Sequence, residues 1–111
     1  MAGTALLPWE CLLDVLDVAV RRQAHRMRRK QALAQTEGWP EVEGTVHSVQ
    51  PDRSCPREEI TYRYSTEHGY YSGFFWRWFD SSDVRNVQVG ERLVLRYDPA
   101  SHDKSVFLRF G

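Results

Sequence analysis

The spacing of hydrophobic positions changes once along this chain, at Gly38. From Pro8 to Ala34 apolar residues recur with helical spacing, and a proline suits the first helical position. Acidic residues lie near the start of this segment and bases crowd its end, as the helix dipole favours. At about 100° per residue, one narrow stripe carries Glu10, Asp14, Asp17 and Arg21. The pattern predicts a long amphipathic helix with an i,i+4 ion pair between Asp17 and Arg21.

The apolar arc of this helix covers well over half of its circumference, which is wider than the stripe of an ordinary surface helix. It consists of Trp9, Leu12, Leu13, Val15, Leu16, Val18, Ala19 and Val20. The run from Leu6 to Val20 contains three acids and is shorter than the ~20 residues of a membrane span. We expect this surplus apolar surface to pair helices in a homo-oligomer or to dock on a protein partner. The expected contact residues are Trp9, Leu12, Leu13, Leu16 and Val20.

Charge is distributed unevenly between the two parts of the chain. Six Arg or Lys stand against three acids up to Thr36, and nine against twelve from Glu37 onward. The six bases form a basic patch of Arg21, Arg22, Arg26, Arg28, Arg29 and Lys30. This patch is typical of a solvated helix end, and it also suits phosphate head groups, nucleic acid or an acidic protein. An alternative function is therefore a peripheral membrane protein whose helix lies on anionic lipid.

After Gly38, a plausible helix stop, Trp39-Pro40 favours extended backbone and the apolar period becomes two. Five strands are predicted: Glu41 to Val49, Glu59 to Ser65, Tyr70 to Phe79, Arg92 to Tyr97 and Ser105 to Phe110. The predicted fold class is α+β, mainly β, with residues 1–37 forming the helix and residues 38–111 a small antiparallel five-stranded β-barrel or bent sheet.

Alternation along the strands predicts the inward positions. They are Val42, Val46, Ile60, Tyr62, Tyr64, Leu93, Leu95, Tyr97, Val106, Leu108 and Phe110. Gly44 and Gly73 interrupt strands, where glycine marks a bulge, a bend or a close approach of backbone.

The third strand, YYSGFFWRWF, carries aromatic side chains on both faces. One face therefore needs a cover, which is either the helix or a binding partner. Phe75, Trp76 and Trp78 are the candidate partner-binding residues. Aromatic rings and guanidinium groups also interleave as in a single-strand nucleic-acid platform, through Tyr62, Arg63, Tyr64, Phe75, Trp76, Arg77 and Trp78. The net acidic charge of the β part argues against nucleic acid as the partner.

Several short motifs, taken in order, resemble one known family. They are Trp39-Pro40, Val42-x-Gly44-x-Val46, Tyr62-x-Tyr64, Gly69 before Tyr71-x-Gly73, and Gly90 ahead of Leu93-x-Leu95-x-Tyr97-Asp98-Pro99. Together they resemble the bacterial domain-of-unknown-function family numbered 3592, over roughly residues 38–110. The resemblance implies a small β domain, often beside transmembrane helices, and it implies no enzymatic activity or ligand. Asp98-Pro99 itself reads as a turn device, because Pro ends strand pairing and the carboxylate accepts backbone N–H groups.

The ionisable residues give no legible catalytic or metal motif. His25, His47, His68 and His102 lie in different elements without metal-ligand spacing and are expected to be exposed. Cys11 and Cys55 are expected to be free thiols in a reducing compartment. A Cys55 nucleophile with His68 or His102 as base is conceivable, but nothing marks an oxyanion hole. We therefore predict a non-enzymatic chain without metal or cofactor, and, since a secretory signal is not evident, a cytoplasmic location that includes the inner face of the membrane.

Overall fold

The computed structural model describes residues 8–79 and 86–111, with side-chain environments in the helix from Asp17 onward. Its elements are α1 (Pro8–Gln35), β1 (Glu41–Pro51), β2 (Arg57–Thr66), β3 (Gly69–Trp78), β4 (Arg92–Asp98) and β5 (Ser101–Phe110). Backbone contacts divide the chain into two compact units, with the boundary between Gln31 and Ala32. The second unit therefore includes the last turn of α1 together with all five strands, and it is called the β unit below.

The end of α1 is fixed within the β unit by Thr36, which is buried. Its hydroxyl donates a hydrogen bond to the carbonyl of Ala32 at 2.8 Å. Arg96 of β4 donates to the carbonyl of Leu33 at 2.9 Å and to the Thr36 hydroxyl at 3.2 Å, so this cation satisfies a carbonyl that the helix leaves without an amide partner. Gly38 then reverses the chain with a φ of +89°, a conformation that favours glycine. The predicted helix stop is confirmed.

All five strands pair antiparallel, in the spatial order β3-β2-β1-β4-β5. The sheet curls until its two edge strands approach each other. Phe75 of β3 stacks on Phe107 of β5 with ring centroids 3.8 Å apart, and the hydroxyls of Tyr62 and Ser105 lie 2.6 Å apart across the same gap. The result is a nearly closed, barrel-like sheet, which confirms the predicted α+β, mainly β class.

The core of the β unit contains most of the predicted inward residues. Its buried members are Val46, Ile60, Tyr62, Tyr64, Val87, Leu93 and Leu95. Partly buried Val42, Val49, Tyr71, Phe75, Tyr97, Phe107 and Phe110 pack against them. The prediction was wrong for Val106 and Leu108, because β5 contains a bulge. Val94 pairs with Arg109 while Leu95 pairs with Phe107, so one extra residue changes the inward position from Val106 and Leu108 to Phe107.

Two glycines allow the sheet to curl by close approach, as predicted. A Cβ at Gly44 would lie 2.8 Å from the Arg63 carbonyl oxygen and 2.9 Å from a methyl of Leu95. A Cβ at Gly73 would lie 2.5 Å from the Tyr62 hydroxyl, which occupies the space that a side chain would fill. At the β4–β5 turn, the Asp98 carboxylate accepts the N–H of Ala100 at 2.9 Å, which confirms the turn role of this aspartate.

Candidate interaction surfaces

The described part of α1 exposes two large apolar side chains on one side of the helix. Val20 is 65% exposed and Met27 is 61% exposed. They are seven residues apart, so they lie close to one line along the helix. Burying two such side chains would release about 1.5–3 kcal/mol each on full burial. This pair is called the exposed apolar stripe of α1 below; Val20 is one of the predicted contact residues, and Met27 is not.

The other predicted contact residues of the helix lie within α1, but the structure does not describe their side chains. They are Trp9, Leu12, Leu13 and Leu16. Four half-buried residues of the described part lie on the opposite side from Val20 and Met27: Val18, Arg22, His25 and Arg29. The exposed apolar stripe is therefore a distinct side of the helix.

The predicted basic patch divides into two groups. Arg21, Arg26, Arg28 and Lys30 are exposed, whereas Arg22 and Arg29 are half-buried. The predicted pair between Asp17 and Arg21 forms at 3.2 Å with both side chains more than half exposed, so it is worth only about 0.3–0.5 kcal/mol. Across the described residues, no helix combines the length and the hydropathy that crossing a membrane requires.

The outer face of β3 is the second candidate surface. Tyr70 is 91% exposed and Phe74 is 62% exposed, while Trp76 and Trp78 on the same face are half-buried. Phe75 points to the opposite face and packs against the core. The three predicted contact residues of this strand therefore do not share a face, and Tyr70 and Phe74 are the exposed rings that the prediction missed. The alternation of side chains along the strand does indicate that both rings share a face with Trp76 and Trp78.

A fixed arginine covers the two tryptophans. The Arg57 guanidinium lies 3.9 Å from the Trp76 ring centre and 5.3 Å from that of Trp78, a cation–π contact worth about 0.5–2 kcal/mol. Arg57 also donates to Asp52 at 2.7 Å. The pKa of Asp52 is lowered from 3.8 to about 2, first by the N–H of Ser54, then by Arg57. This cluster holds the tryptophans in place and occupies part of their stacking surface.

A groove of about 510 Å³ adjoins the exposed end of this face. Its outward-facing side chains are Glu43, Thr45, Arg63, Ser65, Tyr70 and Ser72, from the first three strands. Glu43 lies 3.7 Å from Arg92. The groove therefore presents hydroxyl groups, a guanidinium and the exposed ring of Tyr70.

The proposed nucleic-acid platform is not assembled, because its members lie on both faces of the sheet. Tyr62 and Tyr64 are buried in the core. Arg77 is buried too, and it donates to the buried Glu58 at 2.8 Å, with 9% and 11% of the two side chains exposed. This buried ion pair was missed. Glu58 lies two residues from the inward-facing Ile60, and Arg77 lies two residues from the inward-facing Phe75, so strand alternation does predict that both point inward. Charged side chains are seldom buried, and alternation alone is a weak reason to predict that they are.

A pair of histidines lies at one end of the barrel, and the expectation that both are exposed was wrong for His102. His102 is buried, and its Nδ1 lies 2.6 Å from the Thr66 hydroxyl. The exposed His68 ring stacks on it at 4.2 Å. The Tyr64 hydroxyl donates to the His102 carbonyl, and burial raises the pKa of that tyrosine. These contacts secure the start of β5.

The conceivable Cys–His dyad does not form. Cys55 is buried just before β2, while His68 follows β2 and stacks on His102. A strand of this length spans on the order of 30 Å, so neither imidazole reaches the thiol. Among the described residues, no three His, Cys, Asp or Glu side chains gather as they would around a metal ion.

Comparison of the chain with protein-family models, with curated proteins and with solved structures finds no match.

Proposed function

We propose that this chain is a non-enzymatic interaction module whose helix α1 mediates self-association. The observation that carries the proposal is the exposure of Val20 and Met27 on one side of the helix. The β unit has a buried apolar core of its own, whereas Val20 and Met27 are the large apolar side chains that the described part of α1 leaves mostly exposed. A second copy supplies a cover of matching chemistry, and docking of the same stripe on a larger, membrane-bound assembly is the alternative outcome.

Sedimentation of a Val20→Glu, Met27→Glu double variant tests this proposal. Placing carboxylates in the interface removes apolar burial and adds repulsion, so we expect self-association to weaken at least tenfold. Val89→Glu is the matched control, because Val89 is a valine of similar exposure, 67%, in the β unit. Equal association of both variants and the parent chain would contradict the proposal.

A peripheral membrane role is the second candidate, favoured by the exposed bases Arg21, Arg26, Arg28 and Lys30 beside the apolar stripe. Anionic lipid attracts such bases with about 1 kcal/mol each. Neutralising these four to Gln should reduce binding to phosphatidylserine vesicles and leave binding to neutral vesicles unchanged. Absence of binding to either vesicle would exclude this role. The corresponding location is the inner face of the membrane.

Single-stranded nucleic acid is the weakest of the proposed partners. Tyr62, Tyr64 and Arg77 are buried and Arg57 covers Trp76, so little of the predicted platform remains accessible to bases. Salt-sensitive retention of an oligonucleotide that is lost in Trp76→Ala would reverse this ranking.

We also propose membership of the domain-of-unknown-function family numbered 3592. What supports it is that the residues quoted for the resemblance hold structural positions. Gly44 allows close approach of β1 to its neighbours, Tyr62 and Tyr64 fill the core, and Asp98 closes a turn.

A further inference from the structure

We propose that the exposed apolar stripe of α1 binds the outer face of β3 in a second copy, at Tyr70 and Phe74. The inference rests on the proposed self-association and names the surface that receives the helix. Among the described residues, five large apolar side chains are mostly exposed, and four of them form these two pairs. Each chain therefore carries two exposed apolar surfaces, and a second copy supplies a cover for both.

The two pairs have similar spacing. Val20 and Met27 are separated by seven residues of helix, or about 10 Å at 1.5 Å per residue. Tyr70 and Phe74 share one face of β3 and are separated by four residues, or about 13 Å at 3.3 Å per residue. The flexible side chain of Met27 spans this small difference. A helix that lies along β3 therefore brings one apolar side chain over each ring, as a helix layer on a sheet.

Charge favours a β surface over a second helix as the receiver of the stripe. From Asp17 to Gln35 the helix contains six bases and a single acid. By helical periodicity, exposed bases flank the stripe on both sides. They are Arg21 and Arg28 on one side, and Arg26 and Lys30 on the other. Pairing the described parts of two stripes would bring these like charges together, which electrostatics opposes.

The outer face of β3 offers carboxylates instead. Glu67 lies in the turn before Tyr70, with its side chain 81% exposed. Glu59 lies on the same face of the sheet as Phe74, one position further along the strand pair. Arg63 is the base between them. The sequence beyond the helix contains twelve acids and nine bases, so this surface attracts the basic flanks of the stripe.

Mixing two variants of the full chain tests the inference by complementation. The helix variant is Val20→Glu, Met27→Glu, and the strand variant is Tyr70→Lys, Phe74→Lys. Two-fold exchange gives each dimer two identical contacts. Either variant alone loses both contacts, so we expect its association to weaken at least tenfold in sedimentation. An equal mixture keeps one native contact and places Glu against Lys in the other, so association should return to within about threefold of the parent chain.

Val89→Lys is the matched control for the strand variant, because Val89 is the fifth exposed apolar residue, and it should associate like the parent chain. Circular dichroism checks that each variant is folded. A strand variant that associates as tightly as the parent chain would overturn the inference and leave the proposed self-association standing. Two monomeric variants that stay monomeric when mixed would also overturn the inference alone. A monomeric parent chain would overturn both.

Salt dependence gives an independent test on the parent chain. Raising the NaCl concentration from about 0.05 M to about 0.5 M should weaken association severalfold, because salt screens the attraction between the bases of α1 and the carboxylates beside β3. Pairing of two basic stripes would instead strengthen with salt, because salt screens their repulsion. Association that is unchanged or strengthened by salt would contradict binding of the stripe to the outer face of β3.

Discussion

The core of the β unit and the described part of helix α1 differ in the exposure of their large apolar side chains. Ile60, Leu93 and Leu95 are fully buried in the β unit, whereas Val20 and Met27 of α1 are mostly exposed. A curled sheet has an inside, so alternation along each strand gives it a core without outside help. A single helix has no inside, so its apolar side must be covered by something else. The comparison teaches that the fold and the proposed function belong to different parts of the chain.

The largest effect that would sharpen this comparison concerns the buried pair of Glu58 and Arg77. Arg77→Met should lower the free energy of unfolding by about 3–5 kcal/mol, because it leaves the Glu58 carboxylate buried without its partner. Urea unfolding measures this value. Adding Glu58→Leu should recover a large share of the loss, since the replaced pair is apolar. A single variant as stable as the parent chain would show that this end of the barrel is open to water.

The two neighbours Phe74 and Phe75 test the inside and the outside of the same strand. Phe75→Ala should lower the free energy of unfolding by roughly 3 kcal/mol, because the Phe75 ring stacks on Phe107 and closes the sheet. Phe74→Ala should cost less than about 1 kcal/mol, since its ring is largely exposed. Thermal unfolding of the two variants gives the difference. Equal costs would mean that both faces of β3 are packed.

The curvature of the sheet depends on Gly44. Gly44→Ala should cost about 1–3 kcal/mol, because the new methyl would press on the Arg63 carbonyl and on Leu95. Gly111→Ala is the control, since its Cβ would meet Arg92 at an ordinary 3.4 Å and should change stability by less than about 0.5 kcal/mol. Chemical denaturation compares the free energies of unfolding of the two variants, provided that both depend equally steeply on denaturant concentration. A tolerated Gly44→Ala would contradict close approach as the cause of the curl.

The smallest effect is a pH dependence from Asp52, whose pKa falls from 3.8 to about 2 on folding. Between pH 4 and pH 2 the unfolded chain takes up this proton first, so stability is fully present above about pH 4 and declines as the pH falls toward 2. Asp52→Asn should reduce stability at pH 5 more than at pH 2, as measured by urea unfolding. Glu37→Gln controls for the loss of one charge. An equal cost at both pH values would contradict the lowered pKa.

Much of the fold is predictable from the sequence because its signals are local. The helix was expected from Pro8 to Ala34 and extends over Pro8–Gln35, since periodicity and the turn at Gly38 act within a few residues. The five strands likewise follow from period two and from turn residues. Local patterns cannot show a one-residue bulge in β5, and that bulge is why Phe107 rather than Leu108 faces the core.

The candidate surfaces were predictable only in part, for a related reason. Exposure of Val20 follows from an apolar arc too wide for one helix. The burial of Arg77 and His102 depends on partners far along the chain, Glu58 and Thr66, and no local pattern names such partners. The stacking of Arg57 on Trp76 likewise joins residues that are distant along the chain.

The mass of the intact chain by light scattering, across a hundredfold range of concentration, tests the central claim most directly. We predict a species of twice the 13.0 kDa chain mass, with the helical signal of α1 present and both lost together in Val20→Glu, Met27→Glu. A stable monomer with an ordered helix at every concentration would contradict the claim that the exposed stripe of α1 binds a second copy.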